Sequence, residues 1–245
     1  MFSIILAAGS GTRMRPLSYY VPKILLPVKG RPVLNYVLDN LSHLKVESHY
    51  IVLSDHLEIV ERYLRSTGMD NVQVVKGLGW ETGGDLAIAL EQIGVVDDAV
   101  VMNGDIITDI DMSKLYKHHL SSGKLASIAV LALNDPVEAG RFGRIELTNN
   151  STISRFEEKP VGEAMIPALV NTGFYIFNHQ LIEQRNKYLL PRKFKLENEL
   201  FPRLAKERQL SGLVMDIGYW WDVGTIDSYL KAENYMINNK GVVPP

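Results

Sequence analysis

The sequence has 245 residues, 46% of them hydrophobic and 22% charged, which is the balance of a globular chain long enough for one large α/β domain or two small ones. A net charge of −2, without a dense basic run, argues against a nucleic-acid partner. The absence of cysteine excludes disulfides, thiolate metal sites and a catalytic thiol.

The N-terminal stretch MFSIILAAG is apolar, but it lacks the basic leader and the cleavage site of a signal peptide. No stretch reaches the roughly 18 apolar residues of a membrane span. We therefore expect a soluble, cytoplasmic protein without a membrane partner.

Short apolar runs alternate with amphipathic segments in the first 120 residues. Strands are predicted where the runs are short and rich in β-branched residues, at 2–8, 49–55, 72–76 and 99–105. Helices are predicted where apolar residues recur at helical spacing, at 32–44, 57–66 and 83–93. This β-α repetition predicts an α/β fold with a Rossmann-like, three-layer, doubly wound and mostly parallel sheet.

The second half of the chain has fewer helices between its strands. Strands are predicted at 124–133, 143–147, 153–159 and 173–177, and helices at 196–207 and 227–237. No Pro/Gly/Ser-rich linker divides the chain. We therefore expect a single domain over residues 1–245, in which a smaller antiparallel part follows the doubly wound core from about residue 121.

The first predicted strand runs into Gly9 and Gly11, and glycines at this place let backbone N–H groups turn toward an anion. The dinucleotide-binding fingerprint fails, because Met14 stands where its third glycine belongs. The P-loop pattern fails as well, because no Gly-Lys-Ser/Thr follows. Taken alone, the two glycines are also compatible with a plain tight turn.

The longer stretch LAAGSGTRMRPLSYYVPKILLPV closely resembles the signature of the sugar-1-phosphate nucleotidyltransferases, also called nucleotide-sugar pyrophosphorylases. Gly11, Thr12 and Arg13, followed by Pro22 and Lys23, match that signature residue for residue. The family joins a nucleoside triphosphate to a sugar 1-phosphate and releases pyrophosphate. The resemblance, which runs from residue 3 to about residue 236, implies that the first 120 residues bind the nucleotide and that residues 121–245 bind the sugar phosphate, without a C-terminal β-helix domain.

Two cations of this signature suit the family's reaction. The nucleophile is a phosphate oxygen that is already anionic, so the site must neutralise charge and align the attack rather than supply a general base. The resemblance implies that Arg13 binds the departing β- and γ-phosphates, for which its planar fork of donors is suited. It implies that Lys23 acts at the α-phosphate, where charge builds up. The implied substrate-binding loop comprises Ala8, Gly9, Gly11 and Thr12.

Two aspartates are the candidate metal ligands. Asp105 ends the strand AVVMNGD, and Asp222 lies in GYWWDVGT. The resemblance implies that they hold one Mg²⁺ together, and Mg²⁺ does prefer one or two carboxylates plus phosphate oxygens. The alternatives are a turn residue for Asp105 and a helix N-cap for Asp222, although Thr225 is better placed for that capping.

Four further polar residues lie between these aspartates. We interpret Asp109 as a turn residue and Asp111 as a helix cap. His118 and His119 have no metal-ligand spacing to a partner, so we interpret both as surface residues.

The segment RFEEKP carries the candidate sugar-phosphate site. By the resemblance, Lys159 binds the phosphate and Glu158 binds sugar hydroxyls, with Gly143, Asn171 and Thr172 near the sugar. The alternative is a solvated charge run, the usual fate of Glu-Glu-Lys.

The segment GWETGGDLAIAL is the least regular match. The resemblance implies that Gly83 backs the nucleotide base. Trp80 and Glu81 depart from the small residues or proline that relatives carry, and Asp85 departs from a small residue. These departures bear on the contacts to the base and the ribose.

The sequence therefore predicts a Mg²⁺-dependent enzyme of nucleotide-sugar biosynthesis that acts on a nucleoside triphosphate and a sugar 1-phosphate. The C-terminal third resembles the mannose- and heptose-1-phosphate guanylyltransferases, which makes mannose-1-phosphate guanylyl transfer the first choice. A glucose-1-phosphate uridylyl- or thymidylyltransferase is the alternative, and a non-catalytic regulatory subunit is an alternative of another class. The sequence does not determine the oligomeric state, and a homo-oligomer is possible.

Overall fold

Strand β1 (Phe2–Leu6) lies at the centre of the fold, flanked on both sides by parallel strands. The computed structural model describes residues 1–160, 162 and 165–238, so the last seven residues of the expected domain lie outside the described residues. In the described part, one large mixed sheet carries helices on both faces. Within the same ranges, no helix has the length and apolar character needed to cross a membrane.

The first half follows the predicted β-α repetition. Its further elements are β2 (Pro27–Val28), β3 (Arg31–Pro32), α1 (Val33–Asp39), β4 (Ser48–Leu53), α2 (Leu57–Thr67), β5 (Val72–Lys76), α3 (Glu81–Ile93), β6 (Ala99–Asn103), β7 (Ile106–Thr108) and α4 (Met112–Ser122). Short 3₁₀ turns, at Thr12–Met14, Leu17–Tyr19 and Lys23–Leu25, shape the long connection after β1.

The second half is richer in strands. Its elements are β8 (Ala126–Leu133), α5 (Pro136–Ala139), β9 (Arg144–Leu147), β10 (Ile153–Glu157), β11 (Ala168–Phe177), α6 (His179–Glu183), α7 (Arg185–Tyr188), a π-helical turn (Leu196–Leu200), α8 (Phe201–Lys206), β12 (Leu210–Val214), β13 (Trp220–Asp222) and α9 (Ile226–Asn238).

The parallel part of the sheet has the order β6-β1-β4-β5, which confirms the predicted doubly wound arrangement. The chain moves from β1 to β4 and β5 on one side and then crosses back to β6 on the other. The loops after β1 and β6 therefore diverge, and ligands bind at such a switch point in open α/β sheets. Here Leu6 pairs with Asn103, so the carboxyl ends of the two strands lie side by side.

Strand β11 joins the second half to the same sheet, because it pairs antiparallel with β6, β8 and β9. Strand β10 continues the antiparallel part beside β9, while β12 runs parallel to β8. The predicted smaller antiparallel part is therefore confirmed, and it extends the doubly wound sheet.

The hydrophobic core has two layers, one on each face of the sheet. Successive side chains of a strand point to opposite faces. Accordingly, Ile4 and Val101 pack in one layer, whereas Ile5 and Met102 pack in the other. All four are fully buried, and each contributes about 1.5–3 kcal/mol of hydrophobic stabilisation. This rigid core holds the loops at the carboxyl ends of β1 and β6.

Candidate active site

Two adjoining cavities open at the switch point of the sheet. The first, of about 500 Å³, lies between the loop after β1, the start of α3 and the end of β6. The second, of about 420 Å³, lies between β9, β11 and β13. Asn103 and Asp105 line both cavities, so the two form one continuous site.

The glycine-rich loop borders the first cavity. Ala8 and Gly9 line it directly. Gly11 has a φ of 59°, and an added Cβ would lie 3.0 Å from the Cβ of Ser18, so this turn requires glycine. Met14, which stands at the place of the third glycine of a dinucleotide fingerprint, is fully buried. Exposed Thr12, by contrast, lines neither cavity in the described part of the chain.

Lys23 and Arg13 lie on opposite sides of Asp105. Lys23 Nζ is 2.6 Å from Asp105 Oδ2 and lines the first cavity. Arg13 lines the second cavity and lies close to Gly224, since a Cβ added at that glycine would be 3.2 Å from Arg13 Nη2. Burial pushes the pKa of Asp105 up, but the charges of Lys23 and Arg13 outweigh it and lower the pKa. Asp105 is therefore held ionised.

Pairing of β7 with β13 brings the two candidate metal ligands together. Asp222 pairs with Ile106, and Val223 N donates to the carbonyl oxygen of Asp105 over 2.9 Å. Burial, followed by the charge of Asp105, raises the pKa of Asp222. Asp222 Oδ1 accepts from Gly224 N at 2.8 Å. The second oxygen of Asp222 accepts from Arg141 at 3.3 Å.

The aspartate pair fits the donor set that Mg²⁺ prefers, and substrate phosphates would supply further oxygen ligands. Mg²⁺ takes one or two protein carboxylates and dehydrates reluctantly, so it does not need a larger protein cage. Among the described residues there is no cluster of three or more His, Asp or Glu that could hold a metal. Burial, followed by the charge of Asp105, raises the pKa of Asp222, and a divalent cation between the two carboxylates would relieve their repulsion.

All five predicted sugar-phosphate residues line the second cavity. Burial and the charge of Glu197 raise the pKa of Glu158. The Lys159 side chain is exposed, and its Nζ lies 3.8 Å from Glu158 Oε1. An added Cβ at Gly143 would lie 2.7 Å from the Phe156 ring and 2.9 Å from Glu158 Oε2, so a larger residue here would displace the ring or the carboxylate. The structure therefore brings this predicted set together.

The strand at the back of the second cavity is held by its own hydrogen bonds. Asn171 donates to the Tyr175 hydroxyl at 2.9 Å and accepts from Gly173 N at 3.0 Å. The Thr172 hydroxyl donates to the carbonyl of Ala129 at 2.7 Å. Both side chains are therefore fixed before any ligand binds.

Gly83 lies apart from the other predicted residues. It lines neither cavity in the described ranges, and its N–H donates to the carbonyl of Phe194 over 3.0 Å. An added Cβ would lie 2.3 Å from the Phe194 ring. Packing against Phe194 thus explains this glycine, and its predicted contact with a base stays a prediction.

Sequence reasoning did not find three residues of the site. Glu197 is buried and lines the second cavity, Thr82 lines the first, and the Thr82 hydroxyl donates to Glu197 Oε2 at 2.6 Å. Arg141 lines the second cavity and contacts Asp222. The only signal in the sequence is that Glu197 lies at helical spacing from Leu200, Phe201 and Leu204, on the apolar face of the predicted helix.

The alternatives considered for other polar residues are resolved by their contacts. Asp111 caps α4 by accepting from Ser113 N, and Thr225 accepts from Ser228 N at the start of α9, as predicted. The turn interpretation of Asp109 is wrong, because this residue lies outside a turn and instead accepts from Gly218 N at 3.0 Å and from Tyr219 N at 3.2 Å, which tethers a distant loop.

The surface prediction for the adjacent histidines is wrong. His119 is 3% exposed, because it lies on the face of α4 that packs on β8, where its Nδ1 is 2.8 Å from Ser127 Oγ. His118 is half-buried.

The sequence profile of the Nucleotidyl transferase family matches residues 2–239, and the chain belongs to this family. A putative mannose-1-phosphate guanyltransferase of Sulfolobus acidocaldarius is 29% identical over 240 residues, covering 97% of the chain and 64% of the relative. A mannose-1-phosphate guanyltransferase of Gibberella zeae is 30% identical, covering 95% and 63%. A UTP–glucose-1-phosphate uridylyltransferase of Synechocystis sp. is 28% identical, covering 95% and 62%.

The chain thus spans less than two thirds of the length of these relatives. Among solved structures, a putative glucose-1-phosphate thymidylyltransferase from Bacillus anthracis, in complex with a sucrose, superposes with a TM-score of 0.80. It covers 96% of this chain and 94% of its own, at 24% identity, and this likeness establishes the fold.

Proposed function

We propose that the chain transfers a nucleotidyl group from a nucleoside triphosphate to a hexose 1-phosphate and releases pyrophosphate, with GTP and mannose 1-phosphate as first choice. The observation that carries the proposal is the juncture of the two cavities, where Lys23, Arg13, Asp105 and Asp222 meet. The family match supports the reaction class. Guanylyl transfer to mannose 1-phosphate is supported by the names of several relatives.

The arrangement suits in-line displacement between two anions. The first cavity would take the triphosphate and the second the sugar phosphate, so that the phosphate oxygen of the sugar attacks the α-phosphorus across Asp105. Lys23 would neutralise the charge that grows at the α-phosphate. Arg13 lines the second cavity, so it would neutralise charge on the side of the attacking phosphate, and its predicted contact with the departing phosphates stays a prediction. Lys159 would neutralise the attacking phosphate, while Glu158 accepts hydrogen bonds from sugar hydroxyls. Asp105 and Asp222 would hold Mg²⁺, which supplies charge neutralisation for the transferred and leaving phosphates.

A second candidate is uridylyl or thymidylyl transfer to glucose 1-phosphate. Its support is the Synechocystis relative, which is nearly as similar as the guanyltransferases. A non-catalytic regulatory role is the alternative of another class. The complete set of cations and carboxylates disfavours it, because a binding subunit has no need for the charge arrangement of a transition state.

A substrate matrix tests the proposal. Purified protein is incubated with Mg²⁺, each of five nucleoside triphosphates and several sugar 1-phosphates, and pyrophosphate release is measured. We expect the highest kcat/KM with GTP and mannose 1-phosphate. Preference for UTP or dTTP with glucose 1-phosphate would promote the second candidate. Folded protein that is silent across the whole matrix would favour the regulatory role.

A further inference from the structure

The residue that begins α3 has an unusual backbone conformation for its type. Glu81 has a φ of 65°, in the left-handed region that favours glycine. The residue lines the first cavity, and its carboxylate forms an ion pair with Lys195, whose Nζ lies 3.8 Å from Oε2. A strained conformation at the mouth of a cavity, with a weakly engaged carboxylate, suggests that the side chain is retained for a ligand.

A second carboxylate lies one helical turn further on. Asp85 lines the same cavity and is only 3% exposed. Its Oδ1 accepts from Leu78 N at 2.8 Å, so it holds the loop between β5 and α3 that forms a wall of the cavity. One oxygen of Asp85 is thus engaged by the protein, whereas the Glu81 carboxylate accepts no hydrogen bond within the described residues and is engaged only by the 3.8 Å ion pair with Lys195.

The charges in the first cavity orient a nucleoside triphosphate. In the described part of its lining, Lys23 is the one basic side chain, and it lies beside Asp105 at the β1 and β6 end. The α3 end carries Glu81 and Asp85. Because like charges repel, the triphosphate belongs at the Lys23 end, and the base belongs at the α3 end.

The donors on the base then decide which base fits. Guanine presents two adjacent donors, N1–H and the N2 amino group, and one carboxylate can accept both. Uracil and thymine place a single N–H between two carbonyl oxygens, which a carboxylate repels. In adenine and cytosine the amino group stands next to a ring nitrogen that is an acceptor. Among the common bases, guanine is therefore the match for a carboxylate.

We propose that Glu81 is a specificity-determining residue that selects guanine by accepting hydrogen bonds from N1–H and the N2 amino group. This inference rests on the proposed nucleotidyl transfer and deepens it by assigning the base. Asp85 acts as a positioning residue, because through Leu78 N it fixes the loop that leads directly into Glu81.

The test compares Glu81→Gln and Glu81→Gly with Glu91→Gln, an exposed position on the same helix that lines neither cavity. The substrates are GTP, ITP, which lacks the N2 amino group, dGTP, which lacks the ribose 2′-hydroxyl, and UTP. We expect the wild type to prefer GTP over ITP by at least about tenfold in kcat/KM. Both Glu81 variants should lose most of that preference, while Glu91→Gln keeps it.

The KM for the sugar 1-phosphate should stay unchanged in all three variants. The melting temperature of Glu81→Gly should be no lower than that of the wild type, because glycine adopts this φ without strain. A lost preference for GTP in this variant would therefore not result from a lost fold.

The outcomes separate the inference from the reaction on which it rests. A GTP preference over ITP that survives in Glu81→Gln would overturn the role of Glu81 and leave nucleotidyl transfer intact. If Glu81→Gln changed the ratio of GTP to dGTP and left the ratio of GTP to ITP alone, the carboxylate would bind ribose, which contradicts base selection. A wild type that prefers UTP refutes guanine selection, and one that uses no triphosphate refutes the proposed reaction as well.

Discussion

Lys23 Nζ lies 2.6 Å from Asp105 Oδ2, although 82 positions separate the two residues in the chain. The ion pair joins the long connection after β1 to the end of β6, at the point where the two cavities meet. It explains why Asp105 keeps a lowered pKa in spite of its burial, whereas the pKa of nearby Asp222 is raised. The two aspartates therefore line the same site, but their pKa values are shifted in opposite directions.

This difference predicts that Asp105→Asn and Asp222→Asn will share a catalytic defect but differ in stability. Each should lower turnover by at least about a hundredfold, if the pair holds the metal as proposed. Asp105→Asn should also lower the free energy of unfolding, because it leaves Lys23 without its partner. Asp222→Asn should leave it unchanged or raise it at neutral pH, because the raised pKa means that ionised Asp222 costs stability.

Steady-state pyrophosphate release and denaturant unfolding without Mg²⁺ measure the two effects, with the exposed Asp70→Asn as control. Near-normal turnover of either variant at limiting Mg²⁺ would remove that residue from the metal site.

Lys23 and Lys159 should give different kinetic signatures. Lys23→Met should depress kcat, because the charge that Lys23 meets is largest in the transition state. Lys159→Met should mainly raise the KM for the sugar 1-phosphate, whose charge is present before the reaction as well. An unchanged KM would mean that Lys159, 58% exposed in its side chain, is only a solvated charge.

The hydrogen bond between Thr82 and Glu197 links the two cavities. Thr82→Val keeps the shape of the side chain but removes the hydroxyl, which donates to buried Glu197 at 2.6 Å and accepts from Leu196 N at 3.0 Å. We expect the KM for the sugar 1-phosphate to rise about tenfold, although Thr82 lines the first cavity, which we propose takes the nucleotide. Thr82→Ser, which keeps the hydroxyl, is the matched control. Equal kinetics of Thr82→Val and Thr82→Ser would show that the bond does not position Glu197.

The doubly wound core was predictable from the sequence because its strands and helices carry local periodicity. The predicted strand at 72–76 and helix at 57–66 agree with β5 and α2 to within one residue. The apolar run 2–8 gives a strand that ends at Leu6, because the chain then turns into the glycine loop. The turn LENEL is π-helical, a local distortion that apolar spacing does not reveal.

Residues of the site could be predicted from the sequence only where they belong to a recognisable motif. Arg13, Lys23, Asp105 and Asp222 belong to recognisable segments, and the fold brings them to adjoining cavities. Arg141 begins the segment RFGRIEL and Glu197 lies in LENELFPRLAKE, but no motif marked either side chain as part of the site. Their importance arises from contacts across the chain, with Thr82 and with Asp222, which depend on the packing of the second half and leave no local pattern.

Gly83 offers a test of packing against ligand binding. Gly83→Ala should lower the free energy of unfolding by about 1–3 kcal/mol, because the new methyl group would overlap the Phe194 ring. Phe194→Ala removes that ring, so the double variant should lose less than the sum of the two single losses. Chemical denaturation of the four proteins gives the coupling. Additive losses, together with a raised KM for the nucleotide in Gly83→Ala, would instead support the predicted contact with the base.

Because His119 is buried, the free energy of unfolding should decrease at acidic pH. Burial lowers its pKa to about 4, only partly opposed by the charge of Asp98, whereas an unfolded histidine titrates near 6.5. The unfolded chain therefore binds a proton that the folded chain does not, and stability falls as pH drops from about 6.5 to about 4, by roughly 3 kcal/mol at most. His119→Asn should be less stable at pH 7, since it disturbs the contact with Ser127, but its stability should fall less over that interval. Unfolding curves at half-unit pH steps, with the exposed His43→Asn as control, measure the slope. If His119→Asn and His43→Asn lose stability in parallel between pH 6.5 and 4, His119 does not remain neutral in the folded protein.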